Sequence, residues 1–213
     1  MSLTSNQTIL LLKEIGKTLE EHKTLLTELD GAIGDGDHGI NMNKGFTAVT
    51  KKLDDIQTED IGHILKTVGM TLISNVGGAS GPLYGTAFMK AAVVVAGKNE
   101  IDLHDFVKIM EEAVEGIKMR GKAVPGDKTM LDALEPAYNT LYQAVEENQP
   151  IEDILKKVKD AALQGVQYTE KIAAKKGRAS YLGERSIGHQ DPGAVSSYLI
   201  LDTIYKTIRN IKD

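Results

Sequence analysis

Gly34-Asp-Gly-Asp-His-Gly39 spells G-x-G-x-x-G, and the residues around it decide the fold. Behind a strand and ahead of a helix, that spelling marks a dinucleotide-binding α/β unit. Here Ile9, Leu12, Ile15, Leu19, Leu26 and Leu29 lead into it at helical spacing. Two Asp also stand where a pyrophosphate would have to approach. The dinucleotide reading therefore fails, and the chain is read as all-α.

Further helical stripes follow. Ile61, Leu65, Val68, Leu72 and Val76 draw one, and Ile151, Ile154, Leu155, Val158, Ala162 and Val166 draw another. The spacing predicts about eight helices, over 4–29, 38–52, 59–76, 81–96, 102–118, 128–147, 151–174 and 192–211. Val93–Val95 is the best strand candidate, but it sits inside an Ala-rich helical segment. No linker or low-complexity stretch divides residues 1–213, which are read as a single domain.

The connections alternate in character. Those near Asp54–Gln57, Gly97–Ile101 and Asn148–Pro150 are short and plain. The others read Asp30-Gly-Ala-Ile-Gly-Asp-Gly-Asp37, Gly77-Gly-Ala-Ser-Gly81, Met119-Arg-Gly-Lys-Ala-Val-Pro-Gly-Asp127 and the long basic stretch Lys175–Gln190. Short connections favour antiparallel neighbours, so an up-and-down arrangement gathers all four unusual loops at one end. That rim also receives helix N-termini, whose free N–H groups and positive dipole ends attract anions.

Composition narrows the function. An apolar share of 41% supports a packed core, and the absence of Cys removes disulfides, thiolate metal sites and a cysteine nucleophile. The N-terminus has no secretory pattern and no stretch is long enough to span a bilayer, so a cytoplasmic location is expected. A net charge of −5 argues against general nucleic-acid binding. An acidic chain still binds phosphates when a metal ion stands between the two.

Asp30, Asp35 and Asp37 offer that possibility. Three carboxylates within eight residues repel one another unless a cation neutralises them, and hard oxygen ligands select Mg²⁺ or Ca²⁺. A solvated acidic turn, with Asp as turn former and helix cap, is the competing reading. The four-loop rim favours the metal. A calcium loop is excluded, because the position for its bidentate Glu holds Phe46. Gly116-Ile-Lys-Met-Arg-Gly-Lys122 imitates a Walker A, but Ala123 replaces the Ser/Thr and no strand precedes it. Gly77–Gly81 is a candidate phosphate cradle, with the Ser80 hydroxyl as an added donor, or else a tight helix–helix turn. Lys175, Lys176, Arg178 and Arg185 supply positive charge on the last loop. His38 and His189 lie in rim loops, whereas His22, His63 and His104 read as surface or structural.

As a set, these motifs resemble the L-subunit family of dihydroxyacetone kinases. The resemblance rests on Asp30 with Gly34–Asn43, Gly77–Pro82, Gly126-Asp-Lys-Thr-Met130, Lys176–Ser186 and Gly188-His-Gln-Asp-Pro-Gly193, in that order along the chain. It implies a barrel of eight antiparallel helices with ADP or ATP capping one end. Asp30, Asp35 and Asp37 would hold two Mg²⁺ ions. His38, Gly39, Ile40 and Asn41 would line the nucleotide, and Ala79 and Ser80 would bind phosphate. Gly121 and Met130 would shape the base and ribose pocket, with Arg178, Asp191, Pro192 and Gly193 closing over it. Dihydroxyacetone would be held by a partner K subunit and ADP rephosphorylated by a phosphohistidine of an M subunit, leaving no catalytic residue here beyond the metal and phosphate ligands. The alternatives are an ADP-sensing subunit that binds a transcriptional regulator, and the nucleotide module of another kinase, such as a fatty-acid kinase.

Overall fold

The computed structural model describes residues 2–212. Its α-helices are α1 (Ser5–Glu21), α2 (Lys23–Ile33), α3 (His38–Asp54), α4 (Ile61–Asn75), α5 (Ser80–Val94), α6 (Leu103–Gly121), α7 (Leu131–Glu146), α8 (Ile151–Thr169) and α9 (Pro192–Lys212). A 3-10 segment, Arg178–Ser186, precedes α9. The expected first helix is broken at His22, whose ring nitrogen Nδ1 lies 2.8 Å from the Thr18 carbonyl and whose backbone leaves helical values. Such competition for a helix carbonyl bends helices. α1 and α2 still act as one kinked stave, since both pack against α3 and α9.

Each stave packs on its neighbour in sequence, and α9 returns to α1, so the ring closes into a barrel. One apolar core fills it, with Leu19, Leu26, Met42, Phe46, Leu72, Leu131, Leu141 and Ile154 fully buried. An apolar cavity of about 130 Å³ remains between Leu12, Phe106 and Ile204. The plain connections are tied together at one end. There a two-residue antiparallel pairing, Leu3 with Ile101 and Thr4 with Glu100, joins the N-terminus to the α5–α6 connection. The Ser5 hydroxyl adds bonds to the Glu59 and Asn99 carbonyls. No helix among the described residues is long and apolar enough to cross a membrane.

Asp30 lies in the last turn of α2 rather than in a loop, which leaves Gly34–Asp37 as the whole connection to α3. On the far side of the barrel, Pro136 sits inside α7 and has no N–H for the Asp132 carbonyl four residues back. Gly165 of α8 packs directly on that carbonyl, and a Cβ there would overlap it. Both surfaces are backbone, so neither yields cheaply. Gly165→Ala is expected to cost about 1–3 kcal/mol, the usual range for overpacking, read as a lower urea midpoint with unchanged slope.

Candidate functional site

The four unusual connections do meet at one end. They enclose a cavity of about 610 Å³, within the range of small-ligand sites. Its wall draws on Asp35 and Asp37, on Gly77–Ser80, on Lys128–Met130, and on Lys176–Arg178 with Asp191.

The acidic corner is shaped by its neighbours. Asp30 Oδ2 accepts hydrogen bonds from the backbone N–H groups of Asp37 (2.8 Å) and His38 (3.1 Å). It thereby caps α3, which has no side-chain cap of its own. Gly34 is required there, because a Cβ would collide with the Asp30 carboxylate. Gly36 takes a positive φ of 72°, which turns Asp35 and Asp37 back toward Asp30. One carboxylate oxygen from each Asp then falls within 4.8 Å of the others. Asp30 and Asp37 are half-buried and Asp35 is exposed. Arg178 Nε approaches Asp35 Oδ2 at 2.9 Å. Three close, oxygen-only anionic donors with open faces fit a hard divalent cation.

Beside this corner α5 begins at Ser80 with no side-chain cap, so its first N–H groups face the cavity. Behind them lies a buried polar chain. His38 Nδ1 is 3.0 Å from Ser80 Oγ, and His38 Nε2 is 2.9 Å from Ser196 Oγ. The Tyr84 hydroxyl lies 2.8 Å from Ser196 Oγ and 2.9 Å from Ser197 Oγ. Burial lowers the His38 pKa against the pull of Asp30 and Asp37, and burial pushes the Tyr84 hydroxyl up to about 12. The chain therefore stays neutral and fixes Ser80.

The opposite wall is the start of α7. Asp132 accepts from Gly126 N–H (2.5 Å) and Thr129 N–H (2.7 Å), which folds residues 126–129 over it. Lys128, at φ 62°, turns its side chain inward; its ammonium donates to the carbonyls of Ile172 (3.2 Å), Ser186 (2.5 Å) and His189 (2.6 Å). Asp191 accepts from Ala194 N–H at 2.7 Å and caps α9.

The structure brings Asp30, Asp35, Asp37, His38, Ala79, Ser80, Gly121, Met130, Arg178, Asp191, Pro192 and Gly193 to this one cavity. Gly39, Ile40 and Asn41 are not on its wall. Gly39 is buried where α3 crosses the Lys23 carbonyl, and Ile40 is 48% exposed. The Asn41 amide backs onto Gly77. His38 lines the cavity, but both its ring nitrogens are taken by serines. Sequence reading missed the individual roles of Lys128, Tyr84, Ser196 and Ser197. For Tyr84, Ser196 and Ser197 the signal was faint, polar residues interrupting the apolar faces of α5 and α9; Lys128 stood in the Gly126–Met130 motif, with nothing in the letters to say where its side chain turns.

Residues 32–206 match the DAK2 domain. The chain belongs to the DAK2 family. This DAK2 chain is 45% identical over 204 residues to "PEP-dependent dihydroxyacetone kinase, ADP-binding subunit DhaL" of Escherichia coli strain K12, covering 96% of this chain and 97% of that protein. A Listeria innocua protein of the same description, numbered 1, is 47% identical, covering 92% and 93%. Among solved structures, the dihydroxyacetone kinase of C. freundii in complex with AMP-PNP and Mg²⁺ aligns with a TM-score of 0.72 at 25% identity. The alignment covers 93% of this chain and 33% of that one. The DAK2 chain therefore corresponds to one part of a longer kinase, and to nearly the whole of the separate DhaL subunits.

Proposed function

We propose that this chain is the nucleotide-carrying subunit of a cytoplasmic, phosphotransferase-dependent dihydroxyacetone kinase. The observation that carries the reading is the three-carboxylate corner beside an uncapped helix N-terminus, on a cavity sized for a nucleotide. The relatives' description as ADP-binding DhaL subunits supports it across almost the whole chain. Asp30, Asp35 and Asp37 would hold two Mg²⁺ ions, whose chemistry is to neutralise and align the phosphate oxygens.

The chain's own residues do the rest. The α5 N–H groups and Ser80 take phosphate oxygens, with Ser80 held in place by His38. Arg178 reaches the same phosphates from the last loop. Ala79, the N-cap of α5, sits with Ser80 at the phosphates, whereas Gly121 and Met130 offer small or apolar surface for ribose and base. Asp191-Pro192-Gly193 closes the far side. Gly39, Ile40 and Asn41 contribute through the backbone placement of the α3 start. His38 has no free ring nitrogen for the acceptor, which supports a division of labour. The K subunit would bring and activate dihydroxyacetone, and a phosphohistidine of the M subunit would restore ATP from bound ADP. The relatives' names favour neither the fatty-acid-kinase alternative nor the regulator-binding one.

The deciding experiment is to purify the chain without added nucleotide, denature it, and assay the released adenine nucleotide and magnesium. Near-stoichiometric ADP with magnesium is the expected result. Protein that is empty and binds neither ADP nor ATP with magnesium would overturn the assignment.

A further inference from the structure

Residues 170–191 form a strap between α8 and α9 that lines the cavity through Lys176–Ala179 and Asp191, and what holds it down is unusual. The strap carries Lys176 and Arg178, both on the cavity wall. It contains three glycines at positive φ, Gly177, Gly183 and Gly188, and its Tyr181 is 87% exposed. Its apolar footing is small: Ala174 and Ala179, with Leu182, rest on Ile33 of α2. Backbone bonds add little from outside, with Lys175 N–H donating to the Asp127 carbonyl at 3.0 Å. Such a segment would ordinarily open easily.

Against this stands Lys128, only 1% exposed. A lysine ammonium has three donors, and here three carbonyls of the strap receive them, one near its beginning (Ile172) and two near its end (Ser186 and His189), so both roots of the strap are tied to one group. No donor remains for a phosphate. The stem lines the cavity while the charge is turned away from it, so Lys128 is not a phosphate ligand in the manner of a P-loop lysine. Its left-handed backbone, disfavoured for any residue but Gly, is kept because it aims the side chain inward.

We propose that Lys128 is a positioning residue that latches the 170–191 strap, and so holds Arg178 over the bound nucleotide and sets how long that nucleotide stays. The inference rests on the nucleotide reading of the cavity. Asp35 alone would hold Arg178 only through an exposed ion pair, which is weak.

The test compares wild type, Lys128→Met, Arg178→Ala and the double variant. Two readouts are taken: tryptic cleavage after Lys175, Lys176, Arg178 or Arg185 in the folded chain, and the dissociation rate of a fluorescent ADP analogue with magnesium. Lys128→Met is expected to speed cleavage in the strap about tenfold, and nucleotide release by about the same factor. In the Arg178→Ala background it adds less than about twofold to release, because the latched group is already gone. Lys128→Gln keeps two donors on a shorter stem and is expected to fall between; it serves if Lys128→Met does not fold. Unchanged strap cleavage overturns the latch. So does an equal factor on release in both backgrounds, which would show that Lys128 acts through general stability. If Arg178→Ala alone leaves release unchanged, the placement of Arg178 over the nucleotide fails, and the cleavage arm still decides the latch.

Discussion

Asp37→Asn is expected to stabilise the metal-free chain slightly and to abolish its response to magnesium–ADP. In the free protein three carboxylates point at one spot, with ligand oxygens within 4.8 Å of one another. Neutralising one relieves like-charge repulsion worth about 0.5–1 kcal/mol at a partly exposed site. The wild-type chain at a hundredfold excess of ligand over its Kd gains about 2.7 kcal/mol, a rise in Tm of roughly 5–10 °C. The variant loses that gain. Turnover with partner subunits falls about a thousandfold, the scale set by removing a major electrostatic contact to a reacting phosphate. Asp30→Ala behaves differently, because Asp30 also caps α3 through the N–H groups of Asp37 and His38. Its metal-free form is expected to be about 1 kcal/mol less stable than wild type. Melting curves with and without magnesium–ADP read all of this. Equal ligand-induced shifts in wild type and Asp37→Asn would sink the metal assignment.

The contrast between Asp37 and Asp30 marks how far the sequence could be read. The spacing of Asp30, Asp35 and Asp37, with glycines between, announces convergent carboxylates. It does not announce that one of them ends a helix and caps the next, since that depends on the Gly34 backbone folding onto it. The barrel was similarly half-legible. Helical stripes and alternating plain and glycine-rich connections imply that four loops meet, and they do. The break at His22 was invisible because the apolar stripe runs through it, Leu19 and Leu26 both facing the core. Periodicity reports side chains, whereas the kink is made by an imidazole competing for a carbonyl. The Leu3–Thr4 strand is too short to show alternation.

In the site, motif letters located the loops but not which side chains face the cavity. Asn41 and His38 both belong to the α3 start. Geometry sends the one against Gly77 and the other into a serine and tyrosine network. Lys128 is the sharpest case. A lysine in a loop on this cavity suggests phosphate contact, and only the three strap carbonyls show that its charge is spent elsewhere.

Asp191 yields the second large effect, on the pH dependence of stability. It is half-buried and lines the cavity. Burial first, then the charges of Asp132 and Asp30, push its carboxyl up to about 7, against the pull of Ala194 N–H and Lys128. The ordinary Asp value, which the unfolded chain is taken to have, is 3.8. Between those values the folded state binds the proton that the unfolded state has released. Its contribution is therefore fully present below about pH 4 and is lost as pH rises toward 7, an effect of roughly 2–4 kcal/mol once its opening to the cavity is allowed for. Other carboxylates slope the opposite way, such as Asp60, held low by the Gly97 N–H. The quantity to measure is therefore the difference between wild type and Asp191→Asn in urea unfolding from pH 4.5 to 8. Asn keeps an oxygen for Ala194 N–H but cannot ionise, so the variant is expected to gain on wild type as pH rises. Parallel stability curves would show that the carboxyl is not held neutral. A neutral Asp191 also spares an incoming nucleotide a clash with a fourth negative charge. An arriving phosphate favours the protonated form further, so near pH 7 nucleotide binding is expected to take up a fraction of a proton. Asp191→Asn removes that uptake, which calorimetry in buffers of different ionisation enthalpy reads directly.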